Sequence, residues 1–312
     1  MAKLSNPRSG SLQFWPRKRA ESIIPSVNWA PVKGKGLLGF ITYKVGMATA
    51  VVKDNTPDSS TKGKKIAVPV TILEAPNMKI FSVRFYKQGK VVKDVVISND
   101  KELKKLVKLP EQIQHFDSQL SKEYDDIRLI VYSLSKQTSL KKTPDLAEIA
   151  FSADNKLDFV KSLIGKEISI RNSFNPELID VRGLTTGKGL VGPVKRFGIT
   201  LKQHKTEKGV RRPGSLAPWH PARVTFRTPM AGQLGMFSRV HYNLKVINQN
   251  AIAEKDINPI SGFKNYGKIK SNYIIVKGSV QGPSKRQILI TSSFRPTKAQ
   301  SKKKYEFMEI VI

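Results

Sequence analysis

No cysteine occurs among the 312 residues, which excludes disulfides, thiolate nucleophiles and cysteine-held zinc or iron–sulfur sites together. No run approaches roughly 18 consecutive apolar residues, and the opening Met1-Ala2-Lys3-Leu4-Ser5-Asn6-Pro7 has no apolar block behind it. Neither a signal peptide nor a membrane-spanning helix is expected; an intracellular protein without a structural metal is. His115, His204, His220 and His241 are the only histidines, none at i, i+4 spacing from another, so no metal or triad constellation is visible. Acids are scarce too. Asp and Glu number 24 against 55 Lys and Arg, a formal net charge of +31. A chain with this excess repels itself, so a polyanionic partner is expected, nucleic acid or acidic membrane. The hydrophobic content of 39% still allows a real core, in one large domain or two modest ones.

The shortage of acids is local. From Lys202 to Arg239 the chain carries Lys202, Lys205, Lys208, Arg211, Arg212, Arg223, Arg227 and Arg239 among glycines and prolines, with Glu207 as the only acid. Such a stretch offers little to bury and is expected to lie among phosphates. The first forty residues form a second basic stretch, with Arg8, Arg17, Lys18, Arg19, Lys33 and Lys35 against Glu21. Pro7, Pro16, Pro25 and Pro31 break it too often for a long helix. Its Phe14, Trp15 and Trp29 either stack on bases or pin the arm to the body. Residues 97–165, by contrast, hold eleven acids and eleven Lys or Arg. That segment faces away from the polyanion.

Within the neutral segment, Asn99 and Glu102 resemble a capping pair ahead of Leu103, Leu106 and Val107, and Asp154 can cap a helix carrying Leu157, Val160 and Leu163 that Gly165 ends. Ile127–Leu134 reads as a buried strand, and Leu146–Phe151 as either helix or strand. A small α+β unit is expected. Elsewhere, short apolar or alternating runs favour strands: residues 47–52, 66–73, 80–86, 91–97, 168–170, 224–226, 242–247, 273–276, 288–290 and 305–312. Strands on both sides of the neutral segment point to a barrel or rolled sheet into which it is inserted.

Gly187-Lys-Gly-Leu-Val-Gly192 has the letters G-x-G-x-x-G, and Glu207 lies about where a ribose-binding acid would be sought. The fingerprint needs a helix at its glycines, however, and Pro193 and Gly198 leave no room for one. Gly183-Leu-Thr-Thr-Gly-Lys-Gly189 is one residue short of a Walker A loop and lacks its Ser or Thr after lysine. What remains is a glycine turn in which Lys188 can meet phosphate. Trp219, flanked by Pro218 and His220-Pro221, reads as an exposed tip that inserts between bases, with His220 as a second flat ring or hydrogen-bond donor.

Three motifs in order, Gly183–Gly189, Ala217-Pro-Trp-His-Pro-Ala222 and Met230-Ala-Gly-Gln-Leu-Gly235, resemble the universal large-subunit ribosomal protein L-three family. Gly10-Ser-Leu-Gln-Phe-Trp-Pro-Arg-Lys-Arg-Ala20 is similar to the N-terminal arm of its archaeal and eukaryotic members, and the shorter chain favours the archaeal type. The resemblance implies a mainly β fold: a six-stranded translation-protein-type β-barrel with an α+β insertion and long irregular basic extensions. On this reading residues 1–36 are an N-terminal arm, 37–96, 166–200 and 246–312 the barrel, 97–165 the insertion and 201–245 a central extension. The resemblance further implies that Trp219 approaches the peptidyl transferase centre, that Gln233 matches a position methylated in bacterial relatives, and that the chain acts early in subunit assembly. Partners would be large-subunit ribosomal RNA and neighbouring ribosomal proteins, in the cytoplasm, with no membrane, small-molecule substrate, cofactor or catalytic residue. Two departures matter. Glu207 stands where eukaryotic members carry a methylated histidine, His204 being a different position, and Thr186-Gly-Lys-Gly189 replaces a frequent Lys-Gly-Lys-Gly.

The expected RNA-binding residues are thus Arg8, Trp15, Arg17, Lys18, Arg19, Lys188, Lys202, His204, Lys205, Lys208, Arg211, Arg212, Trp219, His220, Arg223, Arg227, Gln233 and Arg239. Two rival readings are an RNA-modifying or nucleotide-dependent enzyme, whose pocket would need the acids of 97–165, and a general nucleic-acid binder, which leaves Trp219 unexplained.

Overall fold

The computed structural model describes residues 14–113, 116–119 and 123–311; Arg8 and His115 lie outside the described residues. The protein is mainly β. In chain order the strands are β1 Gly36–Leu37, β2 Gly39–Asp54, β3 Lys65–Ala75, β4 Met78–Lys87, β5 Lys90–Val96, β6 Asp126–Ser133, β7 Leu146–Ser152, β8 Leu178–Leu184, β9 Leu190–Val191, β10 Gly232–Gln233, β11 Ser238–Ala251, β12 Asn272–Lys277, β13 Gln287–Ser292 and β14 Tyr305–Val311. Four short helices accompany them, α1 Lys156–Leu163, α2 Ile170–Ser173, α3 Pro193–Phe197 and α4 Lys298–Ser301. The chain divides into two compact units. Of the described residues, 14–22 and Leu184–Ser238 form one, and 23–183 and 239–311 the other.

The larger unit carries two sheets. One has the order β13-β8-β11-β12-β3-β2-β14, and β13 pairs with β2 as well as with β8. The sixteen-residue β2 makes this possible: Gly39–Tyr43 pair with β13, while Thr49–Asp54 pair with β14. The second sheet has the order β1-β7-β6-β4-β5. It takes in β1 and the β4–β5 hairpin, all ahead of the neutral segment, since β1 pairs with β7 and β4 pairs with β6. Leu146–Phe151 resolves as strand: Leu146 faces Tyr132 across β7 and β6.

One core cluster joins the two sheets and α1 through Phe40, Ile41, Phe85, Leu129, Ile149, Val160 and Ile290. A second lies on Val45, Val70, Ile72, Tyr273 and Ile275. Each such fully buried side chain contributes about 1.5–3 kcal/mol. Among the described residues four acids are buried, Asp54, Glu74, Asp145 and Asp180, and all are held by donors, Asp54 by Thr56, Ser59 and Thr61. Glu74 accepts from the Tyr266 hydroxyl, the Lys270 amide at 2.8 Å and the Ser271 amide and hydroxyl, both at 2.9 Å. Asp180 accepts from the amides of Asn243 and Phe294, at 2.9 Å each. Asp145 accepts from Tyr43 at 2.6 Å. Burial, then the neighbouring Glu74 charge, pushes the Tyr266 hydroxyl far above its ordinary pKa, so it stays a donor.

Several local expectations are corrected. Residues 224–226 form no strand: Val224 and Phe226 are exposed, since Pro221 and Pro229 bracket a run too short to pair. Ile168 makes only a single bridge to Met78, and Ile170 opens α2. The cap of α1 is Asn155, whose side chain accepts from the Leu157 amide at 3.2 Å, rather than Asp154. The Asn99 pair precedes a 3-10 turn, Lys101–Lys105, with no side-chain cap bond, because Leu103 alone reaches the core there.

Replacing Glu74 by Ala strands the buried Tyr266 hydroxyl, at about 1–3 kcal/mol, and removes the acceptor of the part-buried Lys270 and Ser271 donors. We predict that urea unfolding of the full chain shows a loss of roughly 3 kcal/mol; a loss below about 1 kcal/mol contradicts this role.

Candidate nucleic-acid interface

In the smaller unit the first and third glycine motifs pair with each other. The Lys188 amide donates to the Leu234 carbonyl and the Leu234 amide to the Gly189 carbonyl, both at 2.9 Å, and β9 then runs antiparallel to β10. The Thr185 amide reaches the Phe237 carbonyl at 3.0 Å, extending the ladder. Gly235 has φ +78°, and a Cβ there would lie 2.0 Å from the Thr186 carbonyl oxygen. Only glycine allows that approach. These glycines therefore build a backbone ladder that leaves Lys188 exposed at its turn.

Beyond the ladder, the sequence expectation of no helix after Gly192 is corrected. Pro193 occupies the first helical position of α3, where its missing N–H costs nothing, and Gly198 in the left-handed region ends the helix. This five-residue helix presents Arg196 and Phe197, which sequence reasoning missed. The proline-start, glycine-stop pair was the signal that could have found them. The Arg196 guanidinium donates to the carbonyls of Gln233 and Met230 at 3.0 Å and of Arg17 at 3.3 Å. Arg17 answers with a 2.6 Å bond to the Arg196 carbonyl and lies 4.2 Å over the Phe197 ring. Trp15 packs against Phe197 and Phe226, with centroids 6.0 and 5.9 Å away. Burial, and then the Arg17 charge, lower the pKa of Arg196.

Each arm aromatic has its own setting. Trp29 is buried in the core of the larger unit, Trp15 is half-buried on α3 and Phe14 is exposed. Lys18 and Arg19 are exposed. So are Lys202, His204, Lys205, Lys208, Arg211, Arg212, His220, Arg223 and Arg227, all on loop backbone. Trp219 is 88% exposed, far beyond the usual state of a tryptophan. Gln233 is half-buried, its side-chain amide donating to the carbonyls of Leu234 and Gly235 at 3.2 and 3.1 Å. Arg239 is half-buried in β11 of the larger unit, where its carbonyl accepts from Gln281 at 3.1 Å. The smaller unit thus carries from Leu184 to Ser238 ten Lys and Arg and the single acid Glu207. Among the described residues no group of His, Asp and Glu could hold a metal ion.

For Gly235→Ala we predict that the ladder opens: hydrogen exchange at the Lys188 and Leu234 amides accelerates at least about tenfold, equivalent to ~1.4 kcal/mol of local stability. Protection in β3 and β12 stays as it was. Unchanged protection at both amides contradicts the assignment.

Comparison with known proteins identifies this arrangement. The family model described as ribosomal protein L3 matches residues 1–310. The chain is 40% identical over 311 residues to the large ribosomal subunit protein uL3 of Methanococcus aeolicus, covering 94% of this chain and 92% of the relative. It is 36% identical over 312 residues to the protein of the same name from Methanocaldococcus jannaschii, with 94% and 92% covered. The chain belongs to the ribosomal protein L3 family, whose members are structural ribosomal components and not enzymes.

Proposed function

We propose that this protein is a structural constituent of the large ribosomal subunit that binds and organises large-subunit ribosomal RNA. The observation that carries the reading is the stretch Leu184–Ser238, where exposed cations and an 88%-exposed Trp219 are held on a glycine ladder with one acid among them. Cations along a loop position phosphates, and an exposed indole offers a stacking face. Lys18, Arg19, Lys188, Lys202, His204, Lys205, Lys208, Arg211, Arg212, His220, Arg223 and Arg227 are the proposed phosphate and base contacts, with Trp219 as the wedge. Trp15, Arg17 and Gln233 support them from within, since their own groups bind the ladder and α3. Family likeness supports the finer points: that Trp219 reaches toward the peptidyl transferase centre, that the chain acts early in subunit assembly, and that neighbouring ribosomal proteins are partners in the cytoplasm. The pairing of β13 with both β8 and β2 supports a closed six-stranded barrel, with 97–165 belonging to an insertion and 201–245 to the extension.

A tagged copy of the chain is expected to co-sediment with large subunits; recovery only in ribosome-free fractions overturns the proposal. On purified large-subunit RNA, Trp219→Ala should weaken binding by about 1–3 kcal/mol, roughly 5- to 150-fold, without changing the salt dependence. Replacing Lys205 by Ala should instead reduce the slope of log affinity against log salt by roughly 0.7–0.9. A Trp219 variant that binds like the parent contradicts the wedge.

A further inference from the structure

The larger unit contains a cavity of about 760 Å³ that no family motif touches. Its size lies within the roughly 300–1,000 Å³ of sites that take small ligands. One wall is the run Lys33-Gly34-Lys35-Gly36; others come from Phe159 and Leu163 of α1, from 172–178 between the end of α2 and the start of β8, and from Ser292, Ser293 and Pro296 at and beyond the end of β13. Lys33 and Lys35 are exposed at this wall. Gly34 sits where a Cβ would lie 2.9 Å from Leu38 and 3.2 Å from the Ser292 hydroxyl, so the backbone itself forms the surface. Among the described residues, the amides of Lys33, Gly34 and Lys35 donate to no protein acceptor. Two ammonium groups and three free N–H donors on glycine-rich backbone make an anion-binding wall. Glu177, the only acid in the lining, is tied to Lys245 at 2.9 Å.

The same lining holds aromatic and aliphatic side chains, among them Phe159 and Leu163. Phe159 is half-buried and stacks on Phe151, with centroids 5.2 Å apart and planes at 21°. Asn172, Ser173 and Asn175 add amide and hydroxyl groups around it. Cations and backbone donors, an aromatic ring and amide side chains lining one cavity are the chemistry that recognises an unstacked nucleotide. We infer that this cavity receives a nucleotide extruded from ribosomal RNA, its phosphate on Lys33–Gly36 and its base on Phe159. The inference rests on the ribosomal reading above. It adds an RNA contact on the larger unit, at the end of the N-terminal basic stretch.

The test places the photo-reactive residue benzoylphenylalanine at Phe159 and, separately, at the exposed rim position Asn175, and irradiates isolated large subunits. A crosslink from either position to a single site in the large-subunit RNA is expected. Its yield should fall at least about tenfold in K33E/K35E subunits that still contain the chain. Crosslinks from both positions to a neighbouring protein would assign the cavity to a protein tail and overturn the inference, as would no RNA crosslink in subunits that contain the chain. Absence of the parent chain from large subunits would instead overturn the ribosomal reading, and this inference with it.

Discussion

Uncompensated positive charge is the constraint on which the rest of the structure depends. The protein has too few acids to neutralise its cations, and it spends them unevenly. Glu74 and Asp180 are buried and satisfied by hydroxyls and amides, and buried Asp145 takes the Tyr43 hydroxyl and pairs with Lys141. Others pair on the second sheet, where Glu148 takes Arg128 at 2.8 Å and Arg84 at 3.2 Å, and Asp94 takes Arg84 at 2.8 Å. Such half-exposed pairs add little stability, on the order of 0–1 kcal/mol each. Their larger consequence is distribution, because the acids they use are not available between Leu184 and Ser238.

That stretch nevertheless keeps a defined backbone, and the means are consistent with the constraint. Its Arg196 is satisfied by groups that carry no formal charge. Arg196 donates to the carbonyls of Gln233, Met230, Ala231 and Arg17, and Arg17 meets a carbonyl and the Phe197 ring. Hydrogen-bonding capacity is met while the positive potential survives, as a phosphate-binding surface requires. An acid at either place would give comparable bonds and cancel the field. The glycine ladder works in the same direction, since pairing through the backbone needs no charged side chain at all.

Much of this was legible in the sequence, and what was missed has physical reasons. Strands such as β3, β6 and β12 announce themselves through β-branched residues and apolar runs, the charge map located the acid-poor loop, and the flanking prolines pointed to the exposure of Trp219. Short runs failed where pairing decides: residues 224–226 carry strand-like side chains but lie between prolines with no partner, and Ile170 is apolar because it is buried, not because it is in a strand. The glycine turn at Lys188 was read for phosphate contact, but its pairing with Met230–Gly235 was not foreseen, because Gly235 is fixed by contact with Thr186, nearly fifty residues earlier, which no local pattern reveals. Composition likewise hid the cavity beside Lys33–Gly36, because its walls come from four separate stretches of chain.

The account turns on the acid-poor stretch lying against RNA, and crosslinking in intact cells tests that most directly. Ultraviolet irradiation followed by sequencing of the bound RNA and identification of the crosslinked peptides should give large-subunit ribosomal RNA, with the peptide around Trp219 among the modified ones. Crosslinks scattered over many RNAs, or none from residues 202–239, would contradict it.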